Sequence, residues 1–482
     1  MERTYEIPCP PFDLGLSVWD KRFAPLYSKR VLCFALPENN KESNAKITQL
    51  LVEALRNTVE ELPFLAGSIV RPNKAIPWLH DIRAEGATRL EVRDYTQEIS
   101  FADLHKDHFP SASLNSQKLC PFPRAVYNRD EDHPADVCRL RANFVDGGLL
   151  LVISIVHTVC DGSAITAVLE LFADKFRKAQ TGELAPHATS NGHTAKPIYV
   201  FNRTSVMHGN GGQGAIENNP WVATTPVKRP LFFPDTKTIC TNFYISKESL
   251  IRLKNAASPP LSTPPTTNGH HVSDSQATVP YISTLDAVSA LIWRSIMLAR
   301  HHAGIIPWEK PTNLICPVDM RSRLDLPVPY YGNAVTGHMS TLSPAELGTP
   351  SGLKTAATAI RTGITNSTPD RFRDLLDLTK RVSSHSYVRM SLVEDLMGSG
   401  MFMTSYWGYK MHELDFGEAL GGRMEAFRLP SAGLIPGMPV VLPRLLDGGC
   451  EVVVSEGEEV MRALEGDEVW RGFVGREGQG VA

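Results

Sequence analysis

The sequence predicts an α/β protein in which two similar halves each mix strands with flanking helices and are joined by a long crossover. Three observations predict this. The run 149–156, LLLVISIV, is almost continuously apolar and rich in β-branched residues, the pattern of a strand buried on both faces. A tight turn and a helical apolar period follow it at once. Beyond a stretch rich in Gly, Asn, Thr and Pro, the alternation of strand and helix resumes, although no internal sequence repeat is visible. A chain of 482 residues suits two or three domains of ordinary size. The expected division is an N-terminal domain over 1–185, a crossover over 186–224 and a C-terminal domain over 225–482.

In chain order, 30–36 (RVLCFAL) reads as a strand. Ile47, Leu50, Leu51, Leu55, Val59 and Leu62 then recur at the spacing of one helix face, and Pro63 stops the helix. The segment 64–70 (FLAGSIV) reads as a short strand. After the buried run 149–156, Ser163 is placed to cap a helix whose apolar face is Ile165, Val168, Leu169, Phe172 and Phe176. The text GNGGQG at 209–214 matches a dinucleotide-binding pattern letter for letter. It follows no strand and Pro220 comes soon after it, so it reads as linker. Residues 237–246 read as a strand and 247–257 as a helix. The Pro- and Ser-rich insert at 257–280 reads as a mobile surface loop. Thr284 is placed to cap a helix carrying Leu285, Val288, Leu291, Ile292 and Ile296, and 313–319 (NLICPVD) reads as a strand.

Composition excludes several classes. The 49 basic and 52 acidic residues leave a net charge of −3, which argues against a dedicated nucleic-acid binder. The most apolar run is far short of the roughly 20 residues that cross a bilayer, so no membrane partner is expected. The first residues, MERTYEIPCPPFDL, hold no apolar signal core. Eight scattered cysteines form no CxxC pair, so they read as reduced thiols of a cytoplasmic protein. No zinc-type spacing appears, and the adjacent pairs His270–His271 and His301–His302 diverge; no metal site is expected.

The segment that points to chemistry is HTVCDG, 157–162, placed where the buried strand ends. Ligands gather beyond such strand ends in open α/β sheets, and histidine is suited to taking and returning a proton near neutral pH. His157 reads either as a general base or as a core histidine. Asp161 could orient the His157 ring or brace the turn against a distant arginine. Gly162 would let the chain turn sharply. Cys160 could act as a nucleophile, though nothing basic lies near it in the sequence; a small buried thiol is the plainer reading.

Two further segments, VDMRSRLDLPVPYYGN (318–333) and SYWGYKMHELDFGEALG (405–421), follow in a set order. HTVCDG, VDxR with YxGN, and a late DFG together resemble the BAHD-type CoA-dependent acyltransferases, in particular the fungal branch that includes trichothecene 3-O-acetyltransferases. LPFLAGSIV, STLDAVSALIWRSI and EVVVSEGEEVMRAL extend the resemblance over most of the chain. It implies a chloramphenicol acetyltransferase-like fold and acyl transfer from CoA, most simply acetyl-CoA, to a hydroxyl of a small secondary-metabolite acceptor. It implies His157 as general base and Asp161 paired with Arg321. It also implies Asp415, Gly417 and Ser405 near CoA, and Trp407 and Asn333 on the substrate tunnel. No permanently bound cofactor and a monomer follow from the same resemblance. The plant pattern DFGWG is here DFGEA, with Glu418 and Ala419. The rivals are a stand-alone condensation-type amide synthase or N-acyltransferase, and a silent relative that only binds a small molecule. The amide synthases typically show HHxxxDG, and Val156 stands at the first of those histidines.

Overall fold

The computed structural model describes residues 2–23, 26–70, 80–122, 135–184, 202–212, 214–226, 238–259, 281–382, 386–431 and 435–476. The buried run forms strand Gly148–Val156, and every one of its residues is buried. It sits inside a six-stranded sheet between Cys138–Asp146 and Tyr27–Ala35. That sheet is mixed, because Ala87–Ser100 runs parallel to Cys138–Asp146 while the other pairs are antiparallel. Helices Lys41–Glu61 and Gly162–Thr181 pack their apolar faces on it.

The second half supplies a five-stranded sheet centred on Cys450–Glu456 and a three-stranded one centred on Thr312–Asp319. Helix Thr284–His302 is buried along most of its length among them. The strand Ala426–Arg428 crosses over to pair with Tyr27–Ala35, so the C-terminal half completes the N-terminal sheet. The fold is thus α/β, with two domains that interlock instead of merely touching.

Local readings need three corrections. Asp161, not Ser163, caps helix Gly162–Thr181, accepting the Ala164 N–H at 3.0 Å; Ser163 spends its hydroxyl on Asp319 instead. Ser283, not Thr284, caps the later helix, in a capping box with Asp286. Residues 64–70 are not one strand: Pro63–Ala66 is a 3-10 turn, because Pro63 presets helical φ, and only Ser68–Val70 is extended.

Of the crossover, 185–201 lies outside the described residues, as do 260–280 of the Pro-rich insert. Gln213 also lies outside the described residues. Asp377 accepts the N–H groups of Asn210 and Gly212 at 3.0 and 2.9 Å, so the described part of GNGGQG wraps a carboxylate of this chain.

Candidate functional site

Strand Gly148–Val156 carries its last ladder register at Val156, and the His157 N–H then bonds the Leu26 carbonyl at 2.6 Å. This leaves the imidazole at the sheet's end. Phe23 stacks on it at 4.5 Å between ring centroids, with 14° between planes. The ring lines a cavity of about 530 Å³, a volume typical of small-molecule sites. Its Nδ1 is sealed from that cavity and has no hydrogen-bond partner among the described residues. Burial holds the His157 pKa below 6.5, only partly opposed by its own backbone and by Asp161; Arg30 pushes in the same direction as burial. The imidazole is therefore neutral at neutral pH, the form that accepts a proton.

Asp161 does not touch the ring. Its Oδ1 accepts from the Ala164 N–H and from Arg321 Nη2 (2.7 Å). Its Oδ2 accepts from Arg321 Nη1 (2.9 Å) and the Ala334 N–H (2.9 Å). Both oxygens are thereby committed in a residue only 3 % exposed. Arg321 also donates to the carbonyls of Tyr330 and Gly332 and to Asp319. Of the two readings left open for Asp161, the geometry is that of a brace: a bidentate bridge ties the helix start after His157 to the VDMR–YYGN segment of the other half.

Asn333 is not on the cavity wall. It is fully buried behind the turn, where its Nδ2 donates to the Thr158 carbonyl (3.0 Å) and to Asp20 (2.8 Å), and its own N–H also reaches Asp20. Arg203, from the crossover, is equally buried and donates to the carbonyls of Val159 and Tyr331. Asn333 and Arg203 thus satisfy the Thr158 and Val159 carbonyls, which lie away from water, and Asp20 holds Asn333 in place. Nothing in the sequence marks Asp20 or Arg203, because such clamps have no local periodicity.

Gly162 is needed for lack of a Cβ, not for backbone freedom. Its φ is not positive; a Cβ there would lie 2.7 Å from the Tyr409 hydroxyl. Tyr409 bonds Ser163 Oγ at 3.1 Å, and Ser163 in turn donates to Asp319 at 2.5 Å. Ser405, Tyr406 and Tyr409 line the cavity, whereas Trp407 does not: half-buried, it packs against the core of the second half under the Arg444 guanidinium. Ser405 Oγ accepts the Trp407 N–H at 3.1 Å. The DFG segment also lies off the cavity wall. Asp415 accepts the Gly417 N–H, Phe416 is buried against Phe34, and Gly417 takes φ +74° beside Gln180, which bonds the Phe416 carbonyl. Its visible work is to dock the second half on the end of helix Gly162–Thr181.

Cys160 is fully buried and burial pushes its thiol up to about 12, which removes the nucleophile reading. Among the described residues no cluster of three or more His, Cys, Asp or Glu is arranged to hold a metal, and no helix is long and apolar enough to cross a membrane.

The scaffold is thus a two-domain α/β one with a neutral histidine on its cavity wall. The model of the Transferase family matches residues 6–467, and the chain belongs to that family, the BAHD-type acyltransferases. Among relatives, the enoyl-CoA isomerase/hydratase claC of Penicillium crustosum is 38 % identical over 479 residues, 98 % of this chain and 52 % of that protein. The chain therefore spans about half the length of claC. The O-acetyltransferase dmxR13 of Cryptosporiopsis sp. is 25 % identical over 449 residues, covering 91 % of this chain and 92 % of that one. In fold, the chain matches F. graminearum TRI101 complexed with coenzyme A and deoxynivalenol. The TM-score is 0.80 at 19 % identity, over 97 % of this chain and 100 % of that one.

Proposed function

We propose that this protein transfers an acyl group, most simply acetyl, from CoA to a hydroxyl of a small-molecule acceptor, with His157 as general base. The observation that carries this reading is the neutral His157 imidazole at the end of a buried strand, on the wall of a cavity sized for a small ligand. Similarity to dmxR13, an O-acetyltransferase, supports the same chemistry, and a shared fold with a protein that takes coenzyme A supports the donor.

With Nδ1 sealed, Nε2 is the nitrogen that takes the hydroxyl proton as the oxygen attacks the thioester carbonyl. A C–O bond forms and the carbonyl π electrons move onto oxygen. The Ser405 hydroxyl, whose oxygen already accepts the Trp407 N–H, donates to that oxyanion. Collapse breaks the C–S bond, and the imidazolium returns the proton to the leaving thiolate. Phe23 keeps the ring plane fixed, and the bridge between Asp161 and Arg321 keeps the turn fixed. Asp415 and Gly417 act at a distance on this reading, by seating the segment that carries Ser405.

The test is free-thiol release from acetyl-CoA in the presence and absence of a panel of alcohols. Release that depends on the alcohol supports the reading; release only from a carrier-protein thioester, or with amines alone, replaces it with the amide-synthase reading. A pH series gives a second check. Because burial depresses the His157 pKa, kcat/KM should be flat through neutrality and fall only as pH drops below 6.5. An acid limb centred above pH 7 would exclude a buried neutral histidine as the base.

A further inference from the structure

Charge on the cavity wall is unevenly matched. Its carboxylates are each bound to an arginine: Asp161 and Asp319 to Arg321, and Asp286 to Arg361. Arg30 is different. It lines the same cavity, is only 4 % exposed, and has no carboxylate at ion-pair distance among the described residues. Its Nη1 donates to the Lys29 carbonyl at 2.8 Å, and its guanidinium lies over the Tyr406 ring, 4.4 Å from the centroid. The Nε–Nη2 edge has no acceptor among the described residues, yet neither nitrogen is sealed away. That edge is the fork that takes both oxygens of one carboxylate.

Stacking on Tyr406 fixes the plane of the fork without satisfying its charge. A guanidinium this buried costs stability unless a counter-ion meets it. The protein holds it against Tyr406 on the cavity wall that His157 also lines, and Arg30 is close enough to that ring to act on it electrostatically.

We propose that Arg30 selects the acceptor: the alcohol acylated at His157 also carries a carboxylate, which the Arg30 fork binds as the hydroxyl is presented to the base. This rests on the acyl-transfer reading above and names its substrate class, a hydroxy acid whose frame is apolar enough for the Phe23 and Tyr406 faces. Arg30 is then a specificity-determining residue and takes no part in the proton transfers.

The experiment uses the full chain with acetyl-CoA and two matched probes, 4-(hydroxymethyl)benzoate and its methyl ester, on the wild type and on Arg30→Met. Thiol release gives kcat/KM, and thermal shift with each probe alone gives binding without turnover. The expected result is a 10- to 100-fold preference of the wild type for the acid, lost in R30M, with the ester turned over within threefold by both. The acid raises the wild-type Tm and leaves that of R30M unmoved. Equal use of acid and ester by the wild type overturns the proposal, as does an equal fall of both in R30M, which would place Arg30 on the reacting atoms. If no alcohol releases thiol, the acyl-transfer reading fails, while the thermal-shift arm still decides whether Arg30 binds the carboxylate. If R30M does not fold, Arg30→Lys, which keeps the charge and loses the fork, replaces it; it should lose most of the preference for the acid.

Discussion

Replacing His157 with alanine is expected to lower kcat/KM for alcohol-dependent thiol release by about 10²–10⁴-fold, the range for losing a positioned general base. The fold should survive. His157 ends a strand instead of filling its core, its Nδ1 makes no hydrogen bond that would be lost, and the Leu26 carbonyl is met by the backbone N–H, which alanine keeps. The loss of Phe23 stacking is a packing change at the cavity wall, which should move Tm little. The measurement is steady-state kinetics beside a thermal melt. A variant that turns over at a near-native rate would remove His157 from the mechanism, whatever its Tm.

Asp161→Asn is expected to act first on stability. The carboxylate meets two guanidinium nitrogens and two backbone N–H groups, and Arg321 has only carbonyls and Asp319 to fall back on. Breaking a buried pair from one side costs about 3–5 kcal/mol. Asn keeps a side-chain oxygen for the helix cap, so the loss should sit toward the lower end. Rate should fall with it, because the turn that presents His157 hangs from the same bridge. A fall in kcat with an unchanged Tm would contradict the brace and restore a direct role for Asp161 in orienting the ring. Arg321→Met serves as the partner test: it leaves Asp161 buried without its counter-ion, and should destabilise at least as much.

These two residues, four apart, show how unevenly the site could be read from sequence. A histidine closing an eight-residue run that is apolar but for Ser154 is visible because a buried strand has to end somewhere, and its end is where side chains meet ligand. The aspartate is visible as a polar residue beside it. Its partner is 160 residues away, and the resemblance alone supplied Arg321. Trp407 and Asn333 show the reverse. Both sit in segments that belong near the site, but the turn at 406–409 puts Tyr406 and Tyr409 on the cavity and packs Trp407 against the core of the second half, while Asn333 is spent on Thr158 and Asp20. Which way a side chain faces in an irregular segment depends on what packs behind it, and no local period records that. Arg30 left a faint mark, a cation at the head of the apolar strand text RVLCFAL. Whether such a cation meets water, a carboxylate or a cavity is decided by the opposite half of the molecule.

The α/β class, the buried strand at 149–156, the tight turn after it and the main helical periods were legible in the sequence alone, because hydrophobic period and turn chemistry act over neighbouring residues. Only tertiary structure decided that Ala426–Arg428 completes the first sheet, that Asp161 serves Arg321 instead of His157, and that Arg30 lies unmatched on the cavity wall. Each of these is a meeting of residues more than a hundred positions apart, and long-range packing, not local preference, sets which polar groups find partners.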